Sequence, residues 1–410
     1  MPDRQAGEPG SSEPGFRRFW TANTLSAFGT TATAVALPVL VVDVLRAEPW
    51  QVGIVGAAQF VPYAVLGLVA GVYVDRWRRR RTLVVASLGR ALALAAIFAM
   101  WLSGRLTVTA LVVLLLVFGS FSVFGFAASQ SLLPRLVPRD RLRRANARLD
   151  QGEAAAQTVG PALGGLLVRL LGAPLALLVD AITYVTDAVL VATLPVHERR
   201  VSDPPRLWRG IADGLRATYR HPVLLPLSLS THVWFVANAA ALTVLSLLAL
   251  RVLELGAAVF GILLSVVGAA TLLGAGMAER AGQRWGEGRT IAVARIVYPI
   301  AWAAVATVTS LPHGVGISVL FVALAVTGTA AGLENANEMS YRQRAVDDLL
   351  LGRVNATGRS VNRTAAVLGA VGGGALVSAA GETGALWTVA AVFAVAAALA
   401  ALTRVRSARA

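Results

Sequence analysis

Six charged side chains stand inside otherwise apolar stretches of this chain: the carboxylates Glu153, Asp187 and Glu334, and the guanidinium groups Arg90, Arg295 and Arg363. A charge at the centre of a hydrocarbon layer costs about 3 kcal/mol on insertion scales, so such residues mark function or a helix-binding ion pair. The chemistry open to them is proton exchange, because a buried carboxylate beside an arginine can take up and release a proton as its surroundings change. Glu153 is the first candidate for that role. Glu334, flanked by Asn335 and Asn337, is the second. Asp187 lies mid-stretch and could instead face a neighbouring helix. Asp180 and Asp43 fall near the ends of their stretches, where water makes a charge cheaper.

A second constellation is Gly71-Val-Tyr-Val-Asp75-Arg76-Trp77-Arg78-Arg79-Arg80-Arg81, wedged between two long apolar segments. A charged connection this short must sit at a membrane surface, and its arginines assign the cytoplasmic one. Gly71 permits close helix approach. Asp75 suits the N-terminus of a facing helix, whose dipole favours an anion. Arg76, Arg79 and Arg80 can pair with carboxylates or lipid phosphates. A third element is Gly160-Pro161-Ala-Leu-Gly164-Gly165. There proline removes a backbone hydrogen bond and the glycines allow bending and tight packing.

The elements that position these groups are helices in a bilayer. Of the 410 residues, 56% are hydrophobic and only 14% charged, with mean hydropathy +0.66. At roughly 20 apolar residues per span the length accommodates about twelve. Apolar runs place them at about 19–44, 52–74, 82–103, 109–131, 148–171 and 174–195. After a polar stretch they resume at about 222–248, 257–278, 290–311, 315–338, 360–380 and 384–403. The predicted organisation is a disordered cytoplasmic tail (1–15), a six-helix bundle (16–195), a cytoplasmic linker (196–221), a second six-helix bundle (222–403) and a basic tail (404–410). Both termini are expected in the cytoplasm, and the tail lacks the apolar run of a cleaved leader. In the linker Trp208, Ile211, Leu215 and Tyr219 recur at helical spacing among arginines, which predicts an amphipathic helix on the inner leaflet.

The charge balance of +15 does not signify nucleic acid. All 37 basic residues are arginine. Apart from the three inside apolar runs and Arg46, Arg105, Arg169 and Arg251 near the opposite ends, they fall in the tails and alternate connections. That asymmetry is the positive-inside pattern. The chain has no cysteine, and His197, His221, His232 and His313 show no metal spacing. No phosphate-binding loop, catalytic carboxylate pair or nucleophile elbow appears, so no enzyme, cofactor or metal is expected. The two halves share a pattern at a constant offset of 209: Ser131 with Ser340, Asn146 with Asn355, Gly160 with Gly369. Internal duplication of this kind is a hallmark of secondary transporters.

Over essentially its whole length the chain resembles the major facilitator superfamily. Gly71-x-x-x-Asp75-Arg76-x-x-Arg79-Arg80 matches that superfamily's helix 2–3 signature, with Arg78 where a second glycine is usual. Gln130-Ser-Leu-Leu-Pro134-Arg135-Leu-Val-Pro138, Ala145-Asn146-Ala147 and Gly352-Arg353-Val-Asn355-Ala356 resemble the drug and siderophore exporter branch, whose members are enterobactin-exporter-like and macrolide-efflux-like. Gly160 to Gly165 is similar to the core of the exporters' antiporter motif, with Ala147 and Ala156 at its upstream glycine positions. The relatives often carry Gly-Asp in helix 1, where this chain has Gly29-Thr30, so no role for that carboxylate carries over.

The resemblance implies an all-α membrane fold of two six-helix bundles, with Asp75 latched against helix 11. It implies a cavity walled by helices 1, 4, 7 and 10, to which Asn23, Phe28, Phe121, Phe124, His232, Trp234, Asn238, Asn335 and Asn337 would contribute. Such a lining, aromatic with a few neutral hydrogen-bonding groups, suits an amphiphilic organic molecule. The function expected is export of drug-, antibiotic- or siderophore-like molecules by a monomer in the bacterial inner membrane, coupled to protons. An uptake permease of the same superfamily is the alternative, and a transport-inactive scaffold or sensor a more distant one.

Overall fold

The computed structural model describes residues 13–196 and 207–402, with the side chains of residue 13, Gly71, Val72, Asp75, 207–211, 348 and 349 outside the description. The remainder of the expected tails (1–12 and 403–410) and linker residues 197–206, which include Arg199, Arg200 and Arg206, also lie outside it.

The described chain is helical throughout. It comprises α1 (Glu13–Val39), prolonged by a π-helical turn (Leu40–Val44), then α2 (Pro49–Ala58), α3 (Val61–Arg76), α4 (Arg79–Leu102), α5 (Val108–Leu136), α6 (Leu142–Leu171) and α7 (Ala173–Ala192). There follow α8 (Leu207–Tyr219) and α9 (Leu224–Leu247), which again ends in a π turn (Leu248–Val252). The last are α10 (Ala257–Trp285), α11 (Glu287–Ala306), α12 (His313–Ala345) and α13 (Asp348–Ala401). Among the described residues eleven segments are long and apolar enough to cross a membrane, the last of which bends into two arms at Gly381. Large apolar side chains such as Leu92, Leu273 and Ile300 point outward. That outward apolar belt is what lipid requires of a helical membrane protein.

Local chemistry explains the breaks. Pro49 opens α2 behind a capping box of Glu48 and Gln51. Pro62 then starts α3, because its missing N–H is harmless only in a first turn. The predicted second span is therefore two helices. Elsewhere the helices overrun the apolar runs at their arginine-bearing ends: α5 reaches Leu136, α6 starts at Leu142, α12 continues to Ala345 and α13 starts at Asp348. Hydropathy registers only the roughly 30 Å hydrocarbon layer, whereas backbone hydrogen bonding continues into the wet interface. The expected amphipathic helix is α8.

The duplication read from sequence extends to backbone geometry. The two π turns lie 208 residues apart, as do Arg46 and Glu254, both left-handed with φ of 49° and 50°. Gly172 and Gly381 close the two equivalent turns at φ 85° and 69°.

The helices define two ends. One carries residues 45–48, 103–107, 253–256 and 307–312, here termed the loop end. The other carries residues 77–78, 137–141 and α8, termed the linker end. At the loop end the two halves share one apolar core: Leu40, Val41 and Val42 belong to the same cluster as Leu247, Leu248 and Leu250. Arg251 donates to the Ala47 carbonyl at 2.7 Å across the same boundary. At the linker end the core divides. Phe19, Val74, Leu83 and Leu132 form one cluster, and Leu224, Ile291, Tyr341 and Ala400 another. The apolar core is thus continuous at the loop end and divided at the linker end.

Gly381 combines φ 69° with ψ 177°, a region closed to residues with a Cβ at a cost of about 1–3 kcal/mol. Gly381→Ala should therefore lower the detergent-solubilised melting temperature by several degrees, read by tryptophan fluorescence. An unchanged midpoint would show that this turn relaxes freely.

Candidate functional site

The deepest polar network lies between α9, α11, α12 and α13. Arg295 of α11 is 1% exposed. Its Nε donates to Glu334 Oε1 at 2.7 Å, its Nη1 to Ser230 Oγ at 2.7 Å and its Nη2 to Thr231 Oγ1 at 3.0 Å. The same Nη2 lies 3.3 Å from Glu338 Oε2. Glu338 in turn pairs with Arg342, one turn along α12. Ser230 passes the contact on to the Ala396 carbonyl at 2.7 Å. Two carboxylates thus share one buried guanidinium, while Glu334 Oε2 is buried without a hydrogen-bond partner among the described residues. Sequence reasoning named Arg295 and Glu334 but missed Glu338. The signal was the i, i+4, i+8 run Glu334, Glu338, Arg342 on one face of α12.

A smaller network sits between α4 and α7. Ser87 accepts from Arg90 Nη2 at 2.9 Å and donates to Asp187, whose carboxylate lies 4.0 Å from Arg90. Arg90 also rests over the Tyr184 ring at 4.1 Å, and the Tyr184 hydroxyl meets Thr30 Oγ1 at 2.7 Å. Asp187 therefore does face another helix. Asp180 departs from the sequence reading: it is 1% exposed, not hydrated, and accepts from Thr33 at 2.6 Å and Thr183 at 3.0 Å. Gly29 of α1 abuts this carboxylate, which burial by α1 rather than depth along α7 explains.

Glu153 differs most from expectation. It is exposed on α6, and its described partner is Gln157, which donates to it at 3.0 Å. Arg363 likewise forms no ion pair with a described carboxylate and lies over the rings of Phe60 and Tyr63. Gly160, Pro161, Gly164 and Gly165 are buried, while Leu163 between them points outward. Gly160 and Gly164 seat against Thr31 and Ala32 of α1, while Gly165 and Gly261 bring α6 and α10 to within backbone contact. The Ala162 N–H, beside the proline kink, donates to Ser265 of α10 at 2.9 Å.

In the charged hairpin, Arg80 donates to the Leu194 carbonyl at 2.8 Å, and Arg76 lies beside the Tyr73 ring. Arg79 is buried at the start of α4. The backbone of Gly71 and Asp75 belongs to α3, but their side-chain surroundings fall outside the described residues.

Several of the cavity candidates are packing groups. Phe28 lies beside Gly160, Phe121 against Gly89 of α4, and Phe124 against Trp77. Trp234 joins an aromatic cluster with Phe235, Tyr298 and Phe393. Asn337 donates to the Ala278 carbonyl at 3.1 Å. His232 Nδ1 faces Asn362 Oδ1 at 2.6 Å, so Nε2 is left to accept from Tyr219 of α8 at 2.7 Å. Burial pushes the Tyr219 phenol up, which keeps it a neutral donor. Asn23 and Asn238 are half-buried and Asn335 exposed.

Two cavities open between the halves. One, of about 220 Å³, is apolar and bounded by Leu37 and Val41 of α1, Phe60, Thr243 and Ser246 of α9 and Leu264 of α10. The other, of about 260 Å³ toward the linker end, is bounded by Tyr63, Phe126, Gln130, Ser360, Arg359 and Arg363. The arginines and aromatic rings of the second were not recognised as lining residues, because sequence cannot set the rotation of α13.

Removing Arg295 would strand two buried carboxylates, a loss of about 3–5 kcal/mol. Arg295→Met should lower the melting temperature in detergent by on the order of 10 °C. Adding Glu334→Met should restore part of that loss. Absence of any recovery in the double variant would mean that the two groups do not depend on each other.

Residues 11–410 match the model of the transmembrane secretion effector family, MFS_3. The multidrug efflux pump Tap of Mycobacterium tuberculosis (strain ATCC 25618 / H37Rv) is 31% identical over 217 residues, 51% of this chain and 52% of the pump, so the chain spans about half the length of that relative. The enterobactin exporter EntS of Salmonella choleraesuis (strain SC-B67) is 24% identical over 88% of this chain and 84% of its own length. Among solved structures, a D323A mutant of the nucleoside transporter NupG superposes with TM-score 0.76 at 12% identity, over 93% of this chain and 98% of that one. A bacterial homologue of the iron transporter ferroportin, inward-facing, also reaches 0.76 at 15% identity, over 94% and 97%. A multi-pass helical protein with duplicated halves, a charged α3–α4 hairpin and a family match along its length, this chain belongs to the transmembrane secretion effector family of major facilitator transporters.

Proposed function

We propose that the protein exports small amphiphilic organic molecules across the bacterial cell membrane by proton antiport, working as a monomer. In this reading two six-helix bundles, both termini cytoplasmic, rock about the α6–α10 joint and its counterpart between α2 and α13. The linker end is cytoplasmic. The observation that carries the reading is the divided core: apolar packing is continuous between the halves at the loop end and parted at the linker end. A carrier caught open to the cytoplasm has that form. The relatives named for efflux support the outward direction.

Proton coupling is assigned to Glu334 rather than to the exposed Glu153. Protonation at Oε2 would break no hydrogen bond to a described residue, and Arg295 would keep Glu338 as its anion. Release of the proton would restore two carboxylates around one guanidinium. Either change alters the balance of charge among α9, α11 and α12 and can bias their packing. The hairpin from Gly71 to Arg80 would latch the closed cytoplasmic side, with Arg80 already anchoring it to the end of α7.

The test uses inside-out membrane vesicles acidified inside, with a pH dye and a panel of lipophilic drugs and siderophores. The wild type should release protons on substrate addition. Glu334→Gln should abolish release while leaving substrate counterflow within about threefold, because coupling and not binding is removed. Full proton release by the Gln variant would overturn the assignment of Glu334. No release by folded wild-type protein with any compound would turn the reading toward uptake or another coupling ion.

A further inference from the structure

We propose that Arg359 and Arg363 form an anion-binding site, and that the transported molecule is an amphiphilic organic anion. This rests on the export reading and narrows its substrate class. The two guanidinium groups stand one helical turn apart on α13 and both border the 260 Å³ cavity. Neither pairs with a carboxylate among the described residues. Arg359 lies over the Phe126 ring at 5.3 Å, and Arg363 over Phe60 at 5.5 Å and Tyr63 at 5.3 Å.

Arg363 stands in an apolar segment without a described carboxylate, unlike Arg295 and Arg90, while Arg359 one turn away is exposed at the same cavity. Arg295 has Glu334 and Glu338, and Arg90 has Asp187. At Arg359 and Arg363 two positive charges repel each other at i, i+4 spacing, and the groups facing them are rings and neutral side chains. Rings hold a guanidinium more weakly than a bidentate oxyanion does. An incoming carboxylate, sulfonate or phosphate would therefore gain two charge-assisted forks at once. Gln130 and Ser360 offer neutral hydrogen-bonding groups on the same wall, and the aromatic faces would take an apolar body. The volume lies just below the usual range for ligand sites, so the cavity fits the charged end of a larger molecule. A phospholipid headgroup presents the same oxyanion chemistry, and the experiment must separate the two sources.

The probes are carboxyfluorescein, an amphiphilic anion, and ethidium, an amphiphilic cation. Binding is read by fluorescence anisotropy in detergent and flux in phosphatidylcholine proteoliposomes. Wild-type protein should bind and transport carboxyfluorescein. Arg359→Gln and Arg363→Gln should each weaken binding at least tenfold, the lysine variants less, and ethidium flux should hold or rise. The lysine variants guard against misfolding of the glutamine ones, and size-exclusion profiles confirm assembly. Undiminished carboxyfluorescein binding by monodisperse double-Gln protein would overturn the site. So would phosphatidylglycerol that stabilises only the wild type and displaces carboxyfluorescein with no anion flux, since the resident anion would then be lipid. Anion binding that needs both arginines, with neither probe crossing, would support the site and overturn export. Ethidium flux with no anion binding would do the reverse.

Discussion

A fully buried guanidinium is costly without an anion, and Arg295, 1% exposed, organises four helices around that constraint. Its donors reach α9 through Ser230 and Thr231, and α12 through Glu334 and Glu338, while Ser230 relays the contact to α13. Association of helices in lipid gains little from hydrophobicity, because lipid tails are as apolar as the side chains. Close backbone packing and polar contacts must therefore specify the arrangement. The Arg295 network supplies the polar contacts after the linker, and the smaller Arg90–Ser87–Asp187 set supplies them before it.

Glycine supplies the other half of the specification. Gly165 against Gly261 and Gly53 against Gly374 bring backbones of the two halves together with no side chain between them. A joint of bare backbones can slide or tilt with little steric cost, whereas an ion-pair network resists such motion. Charge networks hold helices within each half, whereas glycine contacts serve both purposes: Gly160 and Gly164 seat α6 on α1, and Gly165 and Gly53 meet glycines of the other half. The duplication makes this intelligible, since the π turns and turn glycines recur about 208 residues apart while the buried charges do not. Repeated backbone geometry builds the frame, and unrepeated charge gives the halves different work.

Much of the frame was legible in the residue order. The spans, the amphipathic α8 and the duplication rest on composition and spacing, which act locally or along one helix. The site was less legible. Arg295 and Glu334 stood out as charges in apolar runs, but Glu338 and Arg342 stand at and beyond the end of the run at about 315–338 and were not singled out. Asp180 looked hydrated from its depth along α7, yet the Gly29 face of α1 covers it. Phe121 and Trp234 looked like cavity walls and proved to be packing groups. A membrane helix is apolar on nearly every face, so periodicity does not say which face meets a neighbour, a cavity or lipid.

The residue sequence by itself determined that the chain crosses a membrane many times, which ends carry the arginines, and where proline and glycine interrupt the helices. Those properties follow from burial free energy and backbone geometry, both set by nearby residues. Only the tertiary structure decided which charges meet. Arg295 and Glu338 are 43 residues apart and Arg90 and Asp187 97 apart. Their meeting depends on the rotation of each helix about its own axis, which close packing of all the helices fixes together.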